Sequence, residues 1–186
     1  DKLIGKIVEQ VKNEGLENET EIIKVLVDNG CQQGINSLFN GQVISGGRQS
    51  HKENGTHVAL YVYWPGKVAQ GSVNNDLIDF TDFLPTIAGI AGVPLPVTFG
   101  PLDGVSFAPC LFGEMGTPRE WIFNHYQPFP DIPGSQLYRW VQNSTYKLYD
   151  TSSTKQGGRF YNIVTDVNEE RPIPRSYMTP EEKIIR

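Results

Sequence analysis

The apolar run at residues 22–27, stopped by Asp28-Asn29-Gly30, constrains this chain more than any other feature. A strand of that kind is the sort buried on both faces of a parallel sheet, and an open α/β sheet builds its crevice where such strands end. At that point the chain places a carboxylate next to a carboxamide. The two side chains offer hard oxygen ligands, which suit Ca²⁺ rather than a metal that wants sulfur or imidazole. Asp-Asn-Gly also reads as a tight turn, because Asn and Gly both tolerate positive φ.

The surrounding pattern divides the chain into two textures. Leu3, Ile4, Ile7, Val8 and Val11 fall on one helical stripe, with Gly15 as its stop. Residues 30–55 are polar and glycine-rich without a clear period, which reads as a long functional loop. Residues 58–64 read as a second buried strand ended by Pro65, and residues 77–91 as a helix with Asp79 and Thr81 near its start and Gly92 and Pro94 beyond its end. The proline-rich residues 94–109 read as a surface linker. Beyond Gly113 come short, aromatic, alternating segments at 121–126, 137–142, 146–149 and 160–164, separated by turn clusters, which predict a small antiparallel meander. Residues 179–185 predict part of a helix. The expected division is therefore residues 1–113, an α/β part, and residues 114–186, an antiparallel subdomain.

Composition excludes several classes. A net charge of −5 over 186 residues, with no basic block, argues against a nucleic-acid partner. An anionic substrate would need a local cationic site. No apolar run approaches the roughly 20 residues that span a bilayer, and no signal peptide is visible. Cys31 and Cys110 are too few for a disulfide framework.

Five segments in series carry a family resemblance: Asp28-Asn29-Gly30; Gly46-Gly47-Arg48; Glu53-Asn54-Gly55-Thr56-His57-Val58 running into Trp64-Pro65-Gly66; Asp79-Phe80-Thr81-Asp82-Phe83; and the closing Phe160-Tyr161-Asn162 with Asp166-Val167-Asn168-Glu169. In that order and spacing they resemble the C-terminal half of type I sulfatases, the formylglycine-dependent branch of the alkaline phosphatase superfamily. The resemblance covers nearly the whole chain. It implies an alkaline-phosphatase-like mixed sheet flanked by helices, followed by a small antiparallel sheet with a helix.

It also implies roles. Asp28 and Asn29 correspond to ligands of a divalent cation, usually Ca²⁺, that acts as Lewis acid and template. They supply only part of a shell of roughly 6 to 8 oxygens. The Asp-Asn pair weighs against the zinc phosphatase relatives, which place Asp-His there, though a phosphoester hydrolase stays open as an alternative. Arg48 stands where these enzymes commonly place a sulfate-binding lysine; a guanidinium replaces a point charge there. Arg48 and Lys52 also read as ordinary solvated loop charges. His57 matches a His/Arg position and is expected to pack the strand start. His51 is expected to be a plain loop residue and His125 part of an exposed strand.

The formylglycine of the family comes from the first residue of Cys/Ser-x-Pro-x-Arg, and no such string occurs. Cys31 is followed by Gln32-Gln33-Gly34 and Cys110 by Leu111-Phe112-Gly113. Catalytic residues are thus expected outside this chain, which reads as roughly the C-terminal 40% of a sulfatase, judged against ordinary domain lengths, and as inactive alone. A start at Asp1 without Met fits that reading. The alternative is a natural truncated paralogue serving as a binding module. The expected partners are a sulfated small molecule or glycan in the intact enzyme, and a second copy or the missing N-terminal half for the open strand edges. A periplasmic or secreted setting follows from the resemblance alone; three Asn-x-Thr triplets, at Asn18, Asn54 and Asn143, are compatible with chance.

Overall fold

The structure is a computed structural model that describes residues 2–25, 29–39, 41–95 and 97–185. In chain order the elements are α1 (Lys2–Asn13), β1 (Ile22–Val25), β2 (Asn36–Phe39), β3 (Gln42–Ser45), α2 (Glu53–Thr56), β4 (Leu60–Tyr63), α3 (Phe83–Ala91), α4 (Ala108–Leu111), β5 (Ile122–Tyr126), β6 (Tyr138–Gln142), β7 (Tyr146–Tyr149), β8 (Phe160–Asn162) and α5 (Pro180–Ile185). The architecture is mixed α/β. It divides into two compact units, one of Asp1–Leu26 with Ala59–Arg119 and one of Val27–Val58 with Glu120–Arg186.

In the first unit, α1 ends as its sequence requires. Gly15 takes a left-handed φ of 70°, and around it the Leu16 N–H reaches back to the Val11 carbonyl at 3.1 Å. None of the helix is buried; Leu3 and Ile7 are 72% and 57% exposed. β1 and β4 pair with each other, antiparallel, from Ile22↔Tyr63 to Val25↔Leu60, as a two-stranded sheet. The expectation of a parallel neighbour fails here because an apolar run encodes burial and says nothing of its neighbour's direction. Tyr61 is 59% exposed, so β4 is not covered on both faces.

The corner around α3 is the tight part of this unit. Asp79 accepts from the Thr81 N–H at 2.9 Å and Asp82 accepts from the Asp79 N–H at 2.8 Å, a reciprocal cap. Pro85 falls in the first helical turn, where no N–H is needed. Gly92, at φ 65°, ends the helix. Thr86, fully buried, donates to the Asp82 carbonyl at 2.6 Å and accepts the Phe107 N–H at 3.0 Å. Phe107 is 6% exposed and meets Phe83 edge-on at 5.5 Å. Residues 94–109 are therefore not a plain surface linker. Their proline content hides a pair of core residues, Phe107 and Ala108.

In the second unit the expected meander is present, ordered β5-β6-β7-β8 and antiparallel throughout. Its core is Tyr138, Trp140, Tyr149, Tyr161 and Ile163. Thr179 caps α5 reciprocally with Glu182. Residues 30–55 are more ordered than a loop reading allows. β2 and β3 form a hairpin with Phe39 opposite Gln42 and Gly41 at φ 77°. The Asn40-Gly41 dipeptide, the strongest short-range hairpin signal, was there to be read.

Candidate functional site

Three backbone hydrogen bonds and one from a side chain gather residues 30–55 into one cluster within the second unit. The Gly30 N–H donates to the Gly55 carbonyl at 2.9 Å, the Arg48 N–H to the Cys31 carbonyl at 2.9 Å, and the Gly46 N–H to the Ile35 carbonyl at 2.7 Å. Gln33 Nε2 then donates to the Arg48 carbonyl at 3.1 Å. The segments approach so closely that only glycine fits. A Cβ on Gly30 would lie 1.9 Å from the Asn54 carbonyl oxygen, one on Gly46 1.9 Å from that of Gln32, and one on Gly55 2.4 Å from that of Gly47.

The cluster brings Asn29, half-buried, and Arg48, exposed, into one loop assembly. Asp28 lies outside the described residues. Arg48 belongs to none of the ion pairs among the described residues, and its backbone is held at both N–H and carbonyl. A guanidinium so placed is free to grip an oxyanion with a fork of donors. Asn54 donates to the Ser45 carbonyl at 2.8 Å while its Oδ1, buried beside Gly47, has no hydrogen-bond partner among the described residues.

The donors here are carboxamide oxygens, the right chemistry for a hard cation. Among the described residues no group of three or more His, Cys, Asp or Glu could hold a metal ion.

A second layer of side chains holds the Arg48 loop from the meander side. Gln49 next to Arg48 sits at a left-handed φ of 64°, and its carbonyl accepts from the Tyr126 hydroxyl at 3.0 Å. The His51 carbonyl accepts from Lys147 Nζ at 2.8 Å. Lys52 Nζ donates to the Asn168 carbonyl at 2.7 Å, and the Glu53 N–H donates to the Glu169 carboxylate at 2.8 Å. Lys147 and Glu169 form an ion pair at 2.8 Å with both side chains fully buried. The Tyr149 hydroxyl donates to the other Glu169 oxygen at 2.5 Å, and Lys147 Nζ lies 4.4 Å from the centre of the Trp140 ring.

Burial pushes the Lys147 ammonium below its ordinary range, with the Glu169 charge pulling the other way. The Tyr149 phenol is driven up, first by burial and then by the Glu169 charge. Burial pushes the Glu53 carboxyl up, but the hydrogen bond and charge of His57, the Lys147 charge and the Gln142 hydrogen bond together leave it below the usual range. Neither Lys147 nor Tyr149 was singled out from sequence. Glu169 was, as part of the closing segment, without a role; its role is to receive three donors.

The three histidines differ. His51 is not a plain loop residue: its ring stacks on Tyr138 at 3.7 Å and meets Tyr149 edge-on at 5.5 Å, with Nε2 buried and without a hydrogen-bond partner among the described residues. Burial, then the Lys147 and Lys52 charges, lower its pKa to about 4. His57 Nδ1 sits 3.0 Å from Glu53, and that hydrogen bond, outweighing burial, raises it. His125 is exposed on β5, as expected. Both cysteines are free thiols. Burial pushes Cys110 up, with Sγ 3.6 Å from Asp76, the opposite of an activated nucleophile.

The sequence matches two family models, N-sulphoglucosamine sulphohydrolase, C-terminal, over residues 48–183 and Sulfatase over residues 1–93. It is 34% identical to arylsulfatase A of Homo sapiens over 133 residues, which are 70% of this chain and 25% of that protein. It is 28% identical to a sulfatase of Formosa agariphila over 185 residues, 91% of this chain and 32% of that one. Among solved structures, one in complex with its substrate D-glucosamine-2-N,6-O-disulfate shares the fold with a TM-score of 0.75 at 22% identity, covering 97% of this chain and 35% of that one. The chain thus spans a quarter to a third of the length of these relatives, and across that span it belongs to the sulfatase family.

Proposed function

We propose that this chain is the C-terminal part of a sulfatase that hydrolyses sulfate esters, and that Arg48 is its contact to the sulfate group. The observation that carries this is the exposed Arg48 guanidinium, in none of the ion pairs among the described residues, on a backbone fixed at both sides within the loop assembly that also holds Asn29. A planar donor fork matches two oxygens of a sulfate and neutralises charge that grows on them as the ester bond breaks. Asp28 and Asn29 would hold part of a Ca²⁺ site, and the bound ion would polarise the ester oxygens. A sulfated amino sugar is the first substrate to try, given the ligand of the structural relative.

The nucleophile would come from outside this chain. Neither cysteine stands in Cys/Ser-x-Pro-x-Arg, so the chain alone is expected to be inert. With a chromogenic aryl sulfate and added Ca²⁺, no turnover above the buffer blank is expected; turnover that tracks the protein through purification would overturn this. In the whole sulfatase, Asp28→Ala should abolish activity and Arg48→Ala should lower it by on the order of 10²- to 10³-fold. Wild-type turnover and metal content in Asp28→Ala would return Asp-Asn-Gly to a simple turn. The apolar stripe of α1 and the open edges of β1 and β4 would be covered by the rest of that enzyme, so the isolated chain should self-associate. A monodisperse monomer by light scattering would favour the binding-module reading.

A further inference from the structure

Three of the four anchors just described on the meander side of the Arg48 loop belong to or adjoin one buried ion pair. Lys147 and Glu169 are both fully buried, yet each spends a hydrogen bond on the loop rather than on the core. Lys147 Nζ donates to the His51 carbonyl and Glu169 accepts the Glu53 N–H, both at 2.8 Å. The two loop groups, three and five residues after Arg48, bracket Lys52. A buried charge pair is not in itself a gain in stability, since its desolvation offsets its attraction and apolar replacements are often neutral. A pair that faces a loop with one donor and one acceptor does something an apolar pair cannot: it fixes that loop's backbone.

Strain marks the same contact. Of the three described non-glycine residues with left-handed φ, Gln49 (64°) and Glu169 (51°) lie at its two sides. Such conformations persist where the surroundings over-determine them. The Gln49 carbonyl, one residue after Arg48, is held by the Tyr126 hydroxyl.

We propose that the Lys147–Glu169 pair is a positioning element for sulfate recognition: it locks residues 49–53 so that the Arg48 guanidinium meets the anion pre-ordered. This rests on Arg48 being the sulfate contact. Lys147 and Glu169 touch no substrate; they act through the loop.

The test uses the 186-residue chain and inorganic sulfate, titrated at constant ionic strength with chloride and followed by heteronuclear NMR at the Arg48 side-chain N–H and the Gly30 amide. Wild type should show saturable shifts and Arg48→Ala none. The double variant Lys147→Met/Glu169→Leu removes both charges and strands neither, so the meander should stay folded. In it the half-saturating sulfate concentration should rise about tenfold, the low end of what loss of a supporting shell costs a ligated site. Amide exchange should speed up at Arg48 to Glu53 and stay slow in β6 and β7. Lys147→Met/Glu169→Gln, which returns an acceptor to the Glu53 N–H, should recover part of the affinity at unchanged stability. A folded Lys147→Met/Glu169→Leu chain that binds sulfate as wild type does overturns the proposal. A wild-type chain with no saturable shift, or an Arg48→Ala chain that still binds, overturns the sulfate contact itself and this role with it.

Discussion

The β1–β4 ribbon and the β5–β8 meander are both antiparallel and both carry aromatic side chains, yet they are opposites in burial. In the ribbon Tyr61 is 59% exposed. In the meander Trp140 and Tyr149 are 1% exposed and Tyr161 is fully buried. Two strands make a marginal sheet unless something covers a face, whereas four hairpin-connected strands close a core from neighbours near in sequence. An apolar strand is thus a demand for a covering layer, and only the meander meets that demand from its own short connections.

The largest effect that would test this contrast is truncation of the buried indole. Trp140→Ala should cost about 3–5 kcal/mol in urea unfolding, while Tyr61→Ala should cost less than about 1 kcal/mol. Equal costs would mean that the ribbon is as well covered as the meander, and the contrast would be gone.

Next in size is Asp82→Asn, which sharpens the picture of the first unit by placing its stability in the α3 corner rather than in the ribbon. Asp82, 1% exposed, receives the Val105 N–H and the Arg119 guanidinium. Burial pushes its carboxyl up, but Arg119 and the backbone donors hold it below the usual range. Loss of that charge should cost about 2–3 kcal/mol and speed amide exchange across α3 while leaving β1 and β4 unchanged. Unaltered exchange in α3 would count against the corner as the unit's anchor.

A smaller effect is a pH dependence confined to the second unit. His51 has a folded pKa of about 4 against an ordinary 6.5, so the unfolded chain takes up the proton first. Stability from this group is complete above 6.5 and is lost as pH falls from 6.5 towards 4. His51→Phe keeps a ring on Tyr138 and removes the proton site. Its urea midpoint should fall less than that of wild type between pH 7 and 4.5, and parallel falls would show that other groups carry the acid response. Smallest of all is Leu3→Ala on exposed α1, expected within about 0.5 kcal/mol of wild type; a larger loss would reveal a covered stripe.

Sequence made the meander legible because its signals are local: alternation along each strand, with turn clusters between. It could not show which face is inside. On Tyr146-Lys147-Leu148-Tyr149 hydrophobicity would bury Tyr146 and Leu148, but Lys147 and Tyr149 are the buried pair, because the partner that neutralises Lys147 is 22 residues away. A buried lysine has the same letter as a solvated one. Phe107 was hidden for the converse reason, a core residue set among prolines. At the candidate site the residue types of Asn29 and Arg48 were readable, whereas the clamp on the Arg48 loop joins residues about a hundred positions apart.

The close approach of Gly30, Gly46 and Gly55 to neighbouring carbonyls bears on how this site can change over generations. Every missense change of a glycine codon, whatever base is altered, adds a Cβ, so these three positions have no tolerated single step. Arginine codons of the AGA and AGG type lie one base from lysine, and the exposed side chain at position 48 meets no such wall. Drift can therefore exchange one cationic side chain for the other while the frame that presents it stays fixed.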